Sequence, residues 1–157
     1  MISVEQAIRR IRAAGHDISD EYSDERCIEF INNSLQRISA LLIQACYPAL
    51  VEEVVVHDGD TLPKNYVQAA GTYPLRMTAG KAEIVDDSEF VRFRYFATPK
   101  LLENAQDELP YDHDGINEIV VRYAIMLALN ENEYEITQDT NLLTDLQNAI
   151  AGAMSMT

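Results

Sequence analysis

Apolar residues recur at Val4, Ala7, Ile8, Ile11 and Ala14, with Arg9, Arg10 and Arg12 between them, which is the spacing of one helix face. Ser3 with Gln6 three residues on is a capping-box pair, and Gly15 is expected to end the helix in the left-handed conformation. After an acidic linker, Asp17 to Tyr22, Ser23 is the predicted cap of a longer helix, with Asp24 and Glu25 complementing its positive end. Cys27, Ile28, Ile31, Leu35, Ile38, Leu41, Leu42 and Ala45 form one stripe that stops at Pro48. From Asp24 to Cys46 such a helix would be about 34 Å long at the usual rise per residue.

The period then changes. Leu50 to His57 is Val-rich and ends at Asp58-Gly59, a turn dipeptide. Short strands are expected near Tyr66–Ala70, Tyr73–Met77 and Ala82–Val85, separated by turns at residues 78–81 and 86–88. The clearest strand is Phe90–Ala97, with Val91, Phe93 and Tyr95 on one face and Arg92 and Arg94 on the other, beside Phe90 and Phe96. Helix returns at Ile116, Ile119, Val120, Tyr123, Ala124 and Leu127, with Asp112 or Asp114 as its expected cap. A polar break at residues 130–135 precedes a last helix from about Thr137, carrying Leu142, Leu143, Leu146, Ala149, Ile150 and Ala153. The order predicts a single α+β domain over 1–157. It has a helical part (1–47) containing an N-terminal helix pair, a small central antiparallel sheet (50–98), a C-terminal helix pair (112–152) and a short tail (153–157).

Charge alters this picture. The chain of 157 residues has 26 acidic and 12 basic side chains, net −14, and residues 101–157 hold 11 acids against Arg122 alone. Proteins that hold nucleic acid neutralise phosphates with Lys and Arg, so this balance disfavours adhesion to DNA. An acidic surface suits a place where DNA must pass without sticking, but charge alone points first to the plainer reading, a solvated face that keeps the chain soluble. No run of eighteen apolar residues is present, and the start of the chain lacks the pattern of a secretion signal, so a cytosolic origin is expected. Cys27 and Cys46 are nineteen residues apart on one predicted helix, about 28 Å, too far to bond. Both are expected to be small buried hydrophobes.

Candidate chemistry is sparse. His57-Asp58-Gly59-Asp60 could hold a divalent ion, but Asp-Gly is turn chemistry and the calcium-loop spacing is absent. Asp112-His113-Asp114-Gly115 could supply a His–carboxylate dyad, but acids at a helix start are ordinary caps. His16 stands alone beside Gly15, and Asn32-Asn33-Ser34 lies within a helix. No nucleophile elbow, phosphate loop, zinc-protease motif or dinucleotide fingerprint occurs, so no catalytic residue, metal or cofactor is expected. Arg92 and Arg94 beside Phe90 and Phe96 could stack bases, or could pair with an acidic neighbour.

The linear order resembles the head-to-tail adaptor (connector) family of tailed bacteriophages. The residues that carry the resemblance begin with helix Glu25–Cys46 leading into Tyr47-Pro48, then Leu62-Pro63-Lys64-Asn65-Tyr66. They continue with Asp107-Glu108-Leu109-Pro110-Tyr111 running into Ile116–Leu129, followed by Glu131-Asn132-Glu133-Tyr134-Glu135 and a closing helix. The resemblance implies a non-enzymatic virion protein at the head–tail junction. It would be a homo-oligomeric ring, usually of twelve copies, that binds the portal, receives the tail or nozzle protein and continues the DNA ejection channel. It also implies a portal contact through the C-terminal segment, here Ala149, Ile150, Met154 and Met156. Arg92 and Arg94 are then expected at the subunit–subunit contact, and Glu131, Glu133 and Glu135 along the lumen. A stopper-like or tail-completion component, an acidic regulatory binding protein and a small hydrolase using His57 or His113 are the alternatives.

Overall fold

The computed structural model describes residues 1–15, 22–130 and 133–155, and it has the expected α+β class. The chain forms two compact units: Met1–Tyr47 with Lys100–Thr157, which is helical, and Pro48–Pro99, which is built of strands.

The helical unit contains α1 (Val4–Ala14), α2 (Asp24–Gln44), α3 (Asp114–Leu129), a short 3-10 turn (Ile136–Gln138) and α4 (Thr140–Ser155). Ser3 caps α1 with the full reciprocal box: its hydroxyl accepts from Gln6 N–H while Gln6 Oε1 accepts from Ser3 N–H. Two remaining first-turn donors of α1 are satisfied by the 100–110 connection, Val4 N–H to Asp107 O at 2.8 Å and Glu5 N–H to Ala105 O at 3.0 Å. Gly15 does end α1, but not in the left-handed region: its φ is −81°. A Cβ there would lie 2.6 Å from Tyr22 Cε2, so glycine is needed to let that ring approach.

Ser23 caps α2 as expected. The buried face is Cys27, Phe30, Ile31, Ser34, Leu35, Ile38, Ser39, Leu42 and Ile43, rotated from the expected stripe, with Ala45 exposed. Two serines sit on this face because each has a partner. Ser34 donates to Val120 O of α3 at 2.7 Å, and Ser39 donates to Leu35 O at 2.7 Å while sharing a hydrogen with Tyr111 OH at 2.6 Å. Helix α2 stops at Gln44, so Cys46 lies beyond it at φ 58° and is exposed; only Cys27 is the buried thiol expected.

Helix α3 packs against α1, α2 and α4, and its buried residues run round most of its circumference. Neither aspartate caps it. His113 is the N-cap residue and makes no side-chain cap bond; Asp112 instead accepts from Tyr47 OH at 3.0 Å, and Asp114 faces the terminal amine at 3.4 Å. Helix α4 continues through Gly152 to Ser155, with Ala153 buried, so helix persists beyond the boundary expected at 152. Arg10 clamps α1 to α3 through two 2.6 Å bonds to Glu118.

That clamp gives a pH dependence. The Arg10 guanidinium holds the Glu118 carboxyl below its ordinary range, chiefly by hydrogen bonding. The contribution is therefore present above the unfolded glutamate value of about 4.3 and is lost as pH falls through the lower folded value. Both side chains are about two-fifths exposed, so it is expected to be about 1 kcal/mol or less. The gap in thermal midpoint between the protein and Glu118→Gln should shrink from about pH 6 to about pH 3. A gap that does not change with pH would contradict the assignment.

The strand unit begins with a 3-10 turn, Pro48–Leu50, and has strands β1 (Val51–His57), β2 (Asp60–Thr61), β3 (Tyr66–Ala69), β4 (Leu75–Thr78), β5 (Lys81–Ile84) and β6 (Phe90–Ala97). They form two antiparallel three-stranded sheets, ordered β1-β6-β3 and β2-β5-β4. Ala79 and Gly80 take φ 52° and 76°, the left-handed pair required by a two-residue hairpin between β4 and β5. Val56, Ala82, Val91, Phe93, Tyr95 and Ala97 make the unit's core, with Tyr66, Tyr73 and Met77 among the side chains packed on it. Among the described residues no helix is long and apolar enough to cross a membrane.

Candidate functional site

Acidity is divided unequally. The helical unit carries 18 acidic and 7 basic residues, net −11, and the strand unit 8 and 5, net −3, which together give the chain's −14. Most arginines are already paired within their own unit. Arg9 binds Glu5, Arg10 Glu118, Arg12 Asp24, Arg37 Glu135 and Arg122 Asp145, at 2.6–3.1 Å, and Arg76 lies 3.8 Å from Glu83. Arg26 stacks over the Phe30 ring at 5.6 Å. Among the described residues, Arg92 and Arg94 have no ion-pair partner, and both are exposed.

Register places them. Val91, Phe93 and Tyr95 of β6 are buried, so the alternation turns Arg92 and Arg94 to the other face of the sheet. Directly across on β1, Val55 pairs with Arg92, Glu53 with Arg94 and His57 with Phe90. Val55 is 42% exposed and Phe90 52%, and the His57 and Phe90 ring centroids are 6.3 Å apart. Phe96, which shares the alternation, is buried and adds nothing to an exposed stacking surface. The result is a mixed strip of Val55, Phe90, Arg92 and Arg94 on which the exposed Glu53 also lies, opposite Arg94.

No family model matches the chain, and no curated protein matches it.

The other sequence candidates fall elsewhere. Asp58 Oδ1 accepts from Ile84 N–H and Asp60 Oδ2 from His57 N–H, so the 57–60 carboxylates tie the turn to the neighbouring strands. Among the described residues no group of three or more His, Cys, Asp or Glu could hold a metal ion. His113 packs its ring over Gly115, where a Cβ would lie 2.8 Å from His113 Cε1, and its Nδ1 is buried without a partner among the described residues. Ala149 is half-buried near the same glycine, Ile150 is buried in the helical core and Met154 is exposed, so those three do not share one open patch. Met156, Glu131 and His16 lie outside the described residues. Glu133 is exposed, and Glu135 is held by Arg37.

Arg37 is the centre of a network that sequence reading missed. Its Nη1 donates to Tyr123 OH at 2.6 Å, Tyr134 O at 3.0 Å and Glu135 Oε1 at 3.1 Å, while Tyr123 OH donates to Tyr134 O at 2.8 Å. Tyr134 OH in turn donates to Asp139, which also accepts from Leu142 N–H at 2.9 Å at the start of α4. Hydrogen bonding to Asp139 pushes the Tyr134 phenol up to about 12, and burial followed by the Asp112 bond does the same for Tyr47. Burial also raises the phenol of Tyr111. An ordinary phenol is already protonated at neutral pH, and these shifts move the three tyrosines further from ionisation. The network ties the connection between α3 and α4 to α2.

Proposed function

We propose that the chain is a structural, non-enzymatic subunit of a ring that joins a phage portal to its tail, a head-to-tail adaptor. One observation carries the reading: two exposed arginines without ion-pair partners among the described residues stand beside exposed Val55 and Phe90 in a chain of net charge −14. A cyclic ring is built from heterologous contacts, so each copy must offer two unlike, complementary surfaces. The cationic strip of the strand unit and the acidic surface of the helical unit meet that requirement, and the planar guanidinium forks of Arg92 and Arg94 suit carboxylates.

On this reading Glu133 and Glu135, with Glu131, contribute to a lumen that repels DNA and keeps it centred. Met154 and Met156 supply adaptable apolar contact to the portal, together with Ala149. Ile150 supports that contact from the core rather than touching the portal, because it is buried. The protein would be made in the host cytoplasm and reside in the virion, with DNA passing through it unbound. Size-exclusion chromatography with light scattering, with and without the portal of the same virus, tests the proposal. A portal-dependent ring supports it, and a chain that neither binds the portal nor forms a ring overturns it.

A further inference from the structure

Two like-charge pairs of opposite sign stand without ion-pair partners among the described residues, one on each unit. Arg92 and Arg94 share the outer face of β6, two residues apart, which is about 6.7 Å at the usual strand rise. Glu53, across from Arg94 on the same face, forms no ion pair with either. Glu25 and Glu29 lie one turn apart on one side of α2, about 6 Å along the helix axis. Both glutamates are exposed, and no hydrogen bond or ion pair among the described residues engages their side chains.

The helices treat their other acids differently. Glu5 meets Arg9, Asp24 meets Arg12, Glu118 meets Arg10, Glu135 meets Arg37 and Asp145 meets Arg122. Glu25 suits the positive end of α2, but Glu29 lies a turn beyond it, at a spacing where like charges destabilise a helix. The two carboxylates line a shallow cleft of about 440 Å³ with Ser23, Arg26 and Phe30. Arg26 stacks over the Phe30 ring at 5.6 Å and pairs with neither glutamate. Of the other unpaired acids described, Glu103 and Glu108 share their cleft with Lys100, and Glu133 stands beside Glu135, which Arg37 already holds.

We propose that Arg92 and Arg94 of one copy bind Glu25 and Glu29 of the next. The contact rests on the ring reading and names the surface that receives the strip. The two spacings agree to within about 1 Å, so each guanidinium fork takes one carboxylate with neither backbone altered. Val55 and Phe90, exposed beside the arginines, keep water from the pairs, which strengthens them. Donor and acceptor surfaces are unlike, so the contact is heterologous and repeats from copy to copy until a ring closes.

Charge reversal in the full chain, read by sedimentation velocity with the portal of the same virus, tests the pairing. Arg92→Glu/Arg94→Glu alone and Glu25→Arg/Glu29→Arg alone should each reduce the ring species by about tenfold or more, with unchanged circular dichroism. Mixed in equal amounts, the two variants should recover it, because each supplies the surface that the other needs. A Glu25→Arg/Glu29→Arg chain that assembles as fully as the unaltered one, or a mixture that recovers nothing, overturns the pairing while the unaltered ring leaves the ring reading standing. An unaltered chain that forms no ring overturns both. Should a reversed variant lose its circular dichroism, Glu25→Gln/Glu29→Gln reads the same contact. It should give fewer rings at low salt, with a gap that narrows as salt rises, and no loss at low salt overturns the pairing.

Discussion

Replacing Phe93 with Ala is expected to cost about 3–5 kcal/mol, the largest single loss in the strand unit. Phe93 is fully buried, and its ring lies 5.6 Å from Tyr73, 5.8 Å from Tyr95 and 6.3 Å from Tyr66, with edge-on or tilted geometry. The substitution removes burial and three aromatic contacts at once, and the short strands around it have little freedom to close the cavity. Urea unfolding followed by near-ultraviolet circular dichroism reads this, since the chain has eight tyrosines and no tryptophan. The expected result is an earlier loss of the tyrosine signal. A midpoint within error of the unaltered protein would show that Phe93 does not anchor this core.

Leu35→Ala should cost about 2–5 kcal/mol in the helical unit. Leu35 is 1% exposed on the buried face of α2, flanked along the helix by Ile31, Ile38 and Leu42. Helix α2 meets α3 along this face, and the Ser34 bond to Val120 O fixes their approach. The cavity therefore cannot close by sliding one helix over the other without breaking a buried hydrogen bond. Thermal unfolding at 222 nm should show a clear fall in midpoint; an unchanged midpoint would place the Leu35 stripe on a surface.

What was legible in the sequence was local. The Ser3–Gln6 box, the Ser23 cap, the Asp58-Gly59 turn and the β6 alternation depend on residues within a few positions of each other, and the structure has all four. The departures arise where distant residues decide. Ser34 and Ser39 read as polar positions outside the stripe, yet are buried because Ser34 donates to Val120 O, and Ser39 donates to Leu35 O and accepts from Tyr111 OH. Asp112 matched a cap by spacing, but Tyr47, 65 residues earlier, takes it. Gly15 matched a left-handed terminus, but the nearby Tyr22 ring gives its reason. The candidate site was half legible. Alternation put Arg92 and Arg94 on one face, but that they lack partners while Arg10, Arg37 and Arg122 have theirs depends on contacts across 108, 98 and 23 residues. The Arg37 network, whose members are Tyr123, Tyr134 and Glu135, left no local signal for the same reason.

On the proposed reading, the strip around Arg92 and Arg94 holds neighbouring copies together on a portal. Sedimentation velocity of the chain with the portal of the same virus, compared with Arg92→Gln/Arg94→Gln over a range of salt, tests it most directly. The account predicts that the unaltered chain sediments with the portal as a ring. The double variant should lose most of that species, with the gap widest at low ionic strength, where unscreened pairs contribute most. A double variant that assembles on the portal as fully as the unaltered chain at low salt would contradict it.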